Sequence, residues 1–299
     1  MKNLLSLIAA ISFSTLLAQG TGSNLRRVSR EVEKTMSITS DIIDGVMTYE
    51  KEKKVVLLIE EQFAIWQKSK RSLARLDEPE EAQLVAVVGE NLGQIIELTS
   101  SHLRDRLGED PHSSYGHTYV SHIEAMFGAM SAEMESYATQ YDITLRESAI
   151  VKRFIALMEL VAYTKEMKAG AAEVDSLVAY LQSEVGTNDL DKLYFAQNNL
   201  IKALSKHIRS YGNEYFYNGQ TDLYEAYQKY YVELLELASA DLLADLTKMK
   251  YDLVEFNSIA SSTEASARKT LSFFDNEMKL LAKREARFVK KNLPKAPKK

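Results

Sequence analysis

Two lysines fall where an ammonium group is costly to place. Stepping three or four residues at a time from Ile42 passes Val46, Tyr49, Lys53, Val56, Glu60, Phe63 and Trp66, an apolar stripe of helical period that carries Lys53. The same stepping from Ile150 passes Phe154, Leu157, Val161, Thr164, Lys168, Ala171, Asp175, Val178 and Leu181, with Lys168 as its cation. A lysine taken out of water needs a compensating partner. For Lys53 that partner is a neighbouring carboxylate (Glu50, Glu52 or Glu60) or a bound anion, unless the side chain snorkels to the surface. If the two stripes face one another, two inward lysines repel unless an anion sits between them, and that arrangement would make a binding site.

Other chemistry has less to stand on. The chain has no cysteine, no glycine-rich phosphate loop, no Gly-x-Ser-x-Gly and no His-Glu-x-x-His. His112, His117 and His122 are spaced by five, and Glu109 to His112 spells Glu-x-x-His. That motif falls in a proline-containing loop and has no repeat on a second helix, as a helical carboxylate metal site requires. No metal, no cofactor and no enzymatic activity are expected. Tyrosines crowd the stretch from Tyr211 to Tyr231, where Tyr224, Tyr227 and Tyr231 share a helical face. They form either core, with hydroxyls reaching water, or a carbohydrate or partner surface.

Among the elements that must hold these residues, 45% hydrophobic and 26% charged residues over 299 positions are enough for one sizeable core or two smaller ones. Four prolines and 12 glycines punctuate little, so the expected fold is all-α, with long antiparallel helices packed as one or two four-helix-bundle-like units. The first helix reads as unbroken from Asn24 to about Ala74. Asp77 to Glu80 opens a second helix to about Leu107, and after the loop GEDPHSSYGH a third covers about Thr118 to Tyr141. Thr144 to Glu147 fits a capping box for a fourth, which ends at Val185 before Gly186 to Asp189. The fifth runs from Leu190 to Tyr211, the sixth from Asp222 to about Phe256, and the last from about Ser261 to Lys291.

The chain ends carry their own signals. Lys2 precedes fifteen uncharged residues, Leu4 to Ala18, and Ala18-Gln19-Gly20 offers small residues for cleavage before Thr21. Residues 1–20 are thus expected to act as a signal peptide or N-terminal anchor, 21–291 as the helical domain and 292–299 as a basic disordered tail. A periplasmic or secreted location follows, with anchoring if the leader is retained. From Lys279 onward nine cations face one acid, Glu285, which suits a solvated helix end and a weak attraction to an anionic envelope surface. The net charge of −5 argues against nucleic acid as a partner.

The run Tyr49-Glu50-Lys51-Glu52-Lys53-Lys54 resembles the Leu-Gln-x-Glu-Arg-Gly signature of the bacterial nitrate- and nitrite-sensing domain, an extracytoplasmic helical sensor family. TYVSHIEAMFGAMSAEMESYA is similar to its Tyr-x-x-x-Ile segment, and ALMELVAYTKEMKAGAAEV to its second signature, Lys-Glu-x-Ala-Gly-x-Glu-Arg-Ala. With the late helix NSIASSTEASARKTLSFFDNEMKLL the likeness covers about Ser29 to Arg284. Glu52 matches the first signature, Lys53 replaces its anion-binding arginine and Lys54 its glycine. Lys165 and Glu166 match the second, whose Glu-Arg pair falls on Ala171 and Ala172, with Lys168 one helical turn earlier. The resemblance implies a sensory domain in which Lys53 and Lys168 contact a small anion, supported by Tyr49, Glu52 and Glu166. Lysine binds as a point charge rather than a planar fork, so a carboxylate is as suitable as nitrate. A separate membrane receptor or envelope protein would transmit the signal, and a homodimer is compatible with this scheme. The alternative is a helical cell-envelope interaction or structural protein with no small ligand.

Overall fold

The computed structural model describes residues 21–48, 50–76, 78–107, 114–145, 148–185, 190–210, 216–239 and 259–295. The protein is all-α, and eight α-helices lie among the described residues: α1 (Thr21–Met47), α2 (Glu52–Leu73), α3 (Ala82–Glu97), α4 (Ser114–Gln140), α5 (Ala149–Val185), α6 (Leu190–Ser210), α7 (Asp222–Ser239) and α8 (Ile259–Asn292). The chain forms two compact units, one of Met1–Ala162 with Val289–Lys299 and one of Tyr163–Phe288. Among the described residues no helix is long and apolar enough to cross a membrane. The leader at residues 1–20 and the end of the tail at 296–299 lie outside the described residues.

In the first unit the long helix expected from Asn24 to Ala74 is broken between Met47 and Glu52, and the chain folds back on itself. The physical reason is burial: an amphipathic stripe of fifty residues has to be covered, and a hairpin lets one half cover the other. Gly45 permits the close approach, since a Cβ there would lie 3.3 Å from Val55 Cγ2. Further along, Gln62 Nε2 donates to Thr39 Oγ1 at 2.8 Å, Ser69 Oγ donates to Glu31 Oε2 at 2.8 Å and Arg27 Nε donates to Ser72 Oγ at 3.1 Å. These pairs mirror one another about position 50, which fixes an antiparallel register. Leu25, Val28, Val32, Met36, Ile42 and Ile43 of α1 and Val55, Ile59 and Leu73 of α2 are buried. The connection takes Glu50 and Lys51, the first two of five consecutive charged residues, and α2 begins at the third: Glu50 N–H donates to Gly45 C=O at 2.8 Å and Lys54 Nζ pairs with Glu50 Oε2 at 2.7 Å.

A short 3₁₀ turn, Pro79–Glu81, leads into α3. Glu81 is buried, and its Oε1 accepts from Asn24 Nδ2 at 2.9 Å and from the Tyr137 hydroxyl at 3.0 Å, so one carboxylate ties α1, the start of α3 and α4 together. Helix α4 buries Tyr119, Ile123, Phe127, Met130 and Met134, and Phe127 meets Phe154 of α5 edge-on at 4.9 Å. It ends at Asp142, whose positive φ of 53° allows Ile143 N–H to reach back to Ala138 C=O at 2.8 Å. The capping box expected at Thr144–Glu147 does not open α5. Ser148 does, its Oγ accepting from Val151 N–H at 3.3 Å, and Arg146 and Glu147 lie outside the described residues.

The second unit holds α5 from Tyr163 on, α6, α7 and α8 up to Phe288. Of the stripe read from Ile150, helix α5 buries Thr164, Ala171, Val178 and Leu181 here, with Lys168 and Asp175 half-buried, and Met167 and Val174 widen the packed side beyond it. Before α7, Tyr217 to Gln220 forms a tight turn whose central residues, Asn218 and Gly219, have φ of 49° and 76°. Asn-Gly is the pair that tolerates two consecutive left-handed positions. The helix stop at Gly186–Asp189 and the expected continuation of α7 to Phe256 lie outside the described residues.

Glu31 gives the hairpin a pH signature. Burial pushes its carboxyl upward, but hydrogen bonds from Lys34, Ser69 and Ser72 outweigh this and hold it below the ordinary 4.5. Its stabilisation is therefore present above 4.5 and lost as the pH falls through the lowered folded value. In thermal melts, Glu31→Gln should lose about 1 kcal/mol at neutral pH, and the loss should vanish in acid. A loss that persists unchanged in acid would contradict the assignment.

Candidate functional site

Lys53 is exposed in the first turn of α2, which corrects its expected place on a buried stripe. Stepping from Ile42 presumes one continuous helix, whereas the break between Met47 and Glu52 resets the phase and gives the buried positions to Val55, Ile59, Gln62 and Ser69. Phe63 of the expected stripe is 50% exposed. Lys168 is half-buried on α5, on its packed stripe. Lys53 belongs to the first compact unit and Lys168 to the second. Glu52 and Glu166 are exposed, and Tyr49 lies outside the described residues.

The first unit does bury a cation, Arg153 of α5, at 7% exposure. Its guanidinium reaches Asp41 Oδ1 at 2.6 Å and Asp44 Oδ2 at 3.6 Å on α1, while its Nε donates to Pro294 C=O at 3.3 Å. Burial drives the Asp44 carboxyl upward, and Arg153 offsets only part of that. The fork is filled by protein groups, so it acts as a tie between α1, α5 and the segment after α8 rather than as a receptor for a ligand.

The tyrosine cluster resolves as core. Tyr227, Tyr230 and Tyr231 are fully buried, and two of the hydroxyls meet carboxylates: Tyr227 donates to Glu285 Oε1 at 3.3 Å and Tyr230 to Asp175 Oδ1 at 2.5 Å. Burial, then the Asp175 charge, pushes the Tyr230 hydroxyl far above the ordinary tyrosine range. His207 pairs with Glu173 at 2.9 Å and stacks on Tyr231. Tyr211 and Tyr215 lie outside the described residues.

One concave site in the first unit has the composition of a receptor. After Glu97 the α3 helix widens into a π turn, Leu98–Leu103, followed by a 3₁₀ turn, Arg104–Arg106. Such widened turns recur at functional sites. Here the turn lies against the start of α4 and leaves a cleft of about 380 Å³. Leu98, Leu103 and Tyr119 form its apolar lining, and His102, Arg106 and His122 bring nitrogen donors to it. Thr99 Oγ1 donates to Ile95 C=O at 2.8 Å and shares a hydrogen bond of 2.9 Å with the Tyr119 hydroxyl, which locks the wide turn to α4. Burial pushes the Tyr119 hydroxyl well above its ordinary range, so it stays a neutral partner.

The cleft pairs cationic and neutral donors with an apolar floor, and none of the described residues that line it is acidic; residues 108–113, which include Glu109 and Asp110, lie outside the described residues. Among the described residues no cluster of three or more His, Asp or Glu could hold a metal ion, and His112 lies outside them. Sequence patterning missed this site because a π turn shifts the helical period within it. The signals available were Tyr119, which opens the Tyr-x-x-x-Ile segment, and His122, the last of the three histidines spaced by five. Comparison with protein-family models, with curated proteins and with solved structures finds no match to this chain.

The tie made by Arg153 is testable. Arg153→Met should lower stability by about 2 kcal/mol in urea titration, less than a fully buried pair would cost, since Asp41 is 40% exposed. Adding Asp44→Asn should restore part of the loss, because it removes a carboxylate left without its cation. Additive losses in the double variant would refute the coupling.

Proposed function

We propose that the chain is an exported helical sensory or ligand-binding domain that takes a small anion in the cleft of its first unit and signals through a separate membrane partner. The observation that carries this reading is the convergence of His102, Arg106 and His122 on an apolar floor. A guanidinium offers two parallel donors, which match the planar oxygens of nitrate or of a carboxylate. His102, Arg106 and His122 are themselves exposed, so this attraction acts with solvent close by and is weakened by salt. The reading agrees with the resemblance to nitrate sensors, whose Tyr-x-x-x-Ile segment supplies Tyr119 to the cleft and Ile123 to the core. The binding group differs from the one that resemblance implies: Arg106 takes the role assigned to Lys53 and Lys168. The uncharged run Leu4 to Ala18 supports export.

A helical envelope interaction protein is the second reading, favoured by Phe195 at 61% and Tyr194 at 37% exposure side by side on α6. In that case the cleft has no small ligand.

Calorimetry with nitrate, nitrite and small carboxylates separates the two. Binding of one of these anions is expected, with Arg106→Ala weakening it about tenfold or more and Lys53→Ala leaving it unchanged. Absence of heat with every anion would overturn the first reading, and loss of binding in Lys53→Ala or Lys168→Ala alone would move the site back to the lysines.

A further inference from the structure

Helix α8 sorts its charges by direction. Between Lys269 and Phe288 the buried side chains among those described are Phe274, Leu281, Glu285 and Phe288. Steps of four and three residues from Lys269 reach Phe273, Asn276, Leu280, Lys283 and Arg287, which therefore share one face, with Lys279 at its edge. All seven are exposed, Phe273 to 45% and Leu280 to 40%. The face thus carries four cations and two large apolar side chains, and no acid.

The acids of the same stretch lie beside or beneath that face rather than on it, and among them only Asp275, one turn before Lys279, is exposed. Asp275 Oδ1 accepts from Gln182 Nε2 at 3.1 Å, Glu285 is 1% exposed and accepts from Tyr227, and Glu277 is half-buried. In a chain of net charge −5 a solvated helix face would ordinarily mix both signs. A single sign interleaved with exposed Phe and Leu is the composition of a helix that lies in a lipid interface.

We propose that this face of α8 docks on an anionic lipid bilayer. Lys269, Lys279, Lys283 and Arg287 would meet headgroup phosphates, while Phe273 and Leu280 would enter the boundary between headgroups and acyl chains. The apolar pair decides for lipid over nucleic acid, because a phosphodiester backbone would satisfy the four cations and leave Leu280 and Phe273 in water. The surface is defined within the second unit alone and is independent of the cleft in the first.

Co-sedimentation of the full chain with vesicles tests it. Vesicles of phosphatidylcholine with phosphatidylglycerol should bind the chain more strongly than phosphatidylcholine alone, and added salt should weaken the difference. The variant Lys279→Glu with Lys283→Glu and Arg287→Glu should reduce partition onto anionic vesicles about tenfold or more, with its melting curve unchanged. Phe273→Ser with Leu280→Ser should also weaken partition, while keeping the salt dependence. If the charge-reversed protein melts early, the glutamine versions of the same three positions take its place. Equal partition of wild type and variant onto anionic vesicles would overturn the proposal. So would retention on duplex DNA that matches vesicle binding and is lost in the same variant.

Discussion

Everything in the first unit depends on α1 and α2 lying against each other in one register. The close approach of Gly45 to Val55 sets where the hairpin closes, and the pairs Thr39 with Gln62, Glu31 with Ser69 and Arg27 with Ser72 repeat that register toward its open end. An apolar contact alone would tolerate a slip of one helical turn, since Leu, Ile and Val are interchangeable across a greasy seam. The polar pairs would not, because a slip would strand buried donors and acceptors without partners. Once the hairpin is fixed, Glu81 can bridge Asn24 and Tyr137, and the wide turn after α3 is held at α4 by Thr99 and Tyr119. The cleft is therefore a consequence of packing that begins at the other end of the chain's first two helices.

Buried polar groups serve the same purpose in both units. Arg153 is compensated by Asp41, Asp44 and a carbonyl, and Tyr227 and Tyr230 are compensated by Glu285 and Asp175. Each of these ties joins residues far apart in sequence, and none joins neighbours on one helix. With no cysteine available, such ties supply specificity that a disulfide could otherwise provide. They add little net stability compared with an apolar replacement, but they penalise every alternative packing.

The fold class was legible in the sequence because length, scarcity of proline and glycine, and apolar period all favour helices. The stripe from Ile150 to Leu181 was legible for the same reason: α5 is regular over its whole length, so steps of three and four stay on one face. The stripe from Ile42 to Trp66 failed because period carries no memory across a turn. MTYEKEKKVVL keeps helical spacing on both sides of a break, and charged residues are equally at home on a helix surface and in a connection. What marked the turn was Gly45, whose missing side chain mattered only because Val55 returns to that spot, a tertiary fact that spacing cannot encode.

The same distinction separates the two surfaces with functional potential. The cleft arises where the helical period is violated: a π turn brings His102 and Arg106 round to His122, although no regular stepping relates the two groups. The basic face of α8 arises where the period is kept over five successive steps, from Lys269 to Arg287, and the concentration of cations toward the end of the chain was visible at once. What the sequence could not reveal was the fate of the acids. Glu285 sits among those cations in sequence and would neutralise one of them on a solvated helix. In the fold it turns inward to the Tyr227 hydroxyl, and the outward face is left with one sign of charge.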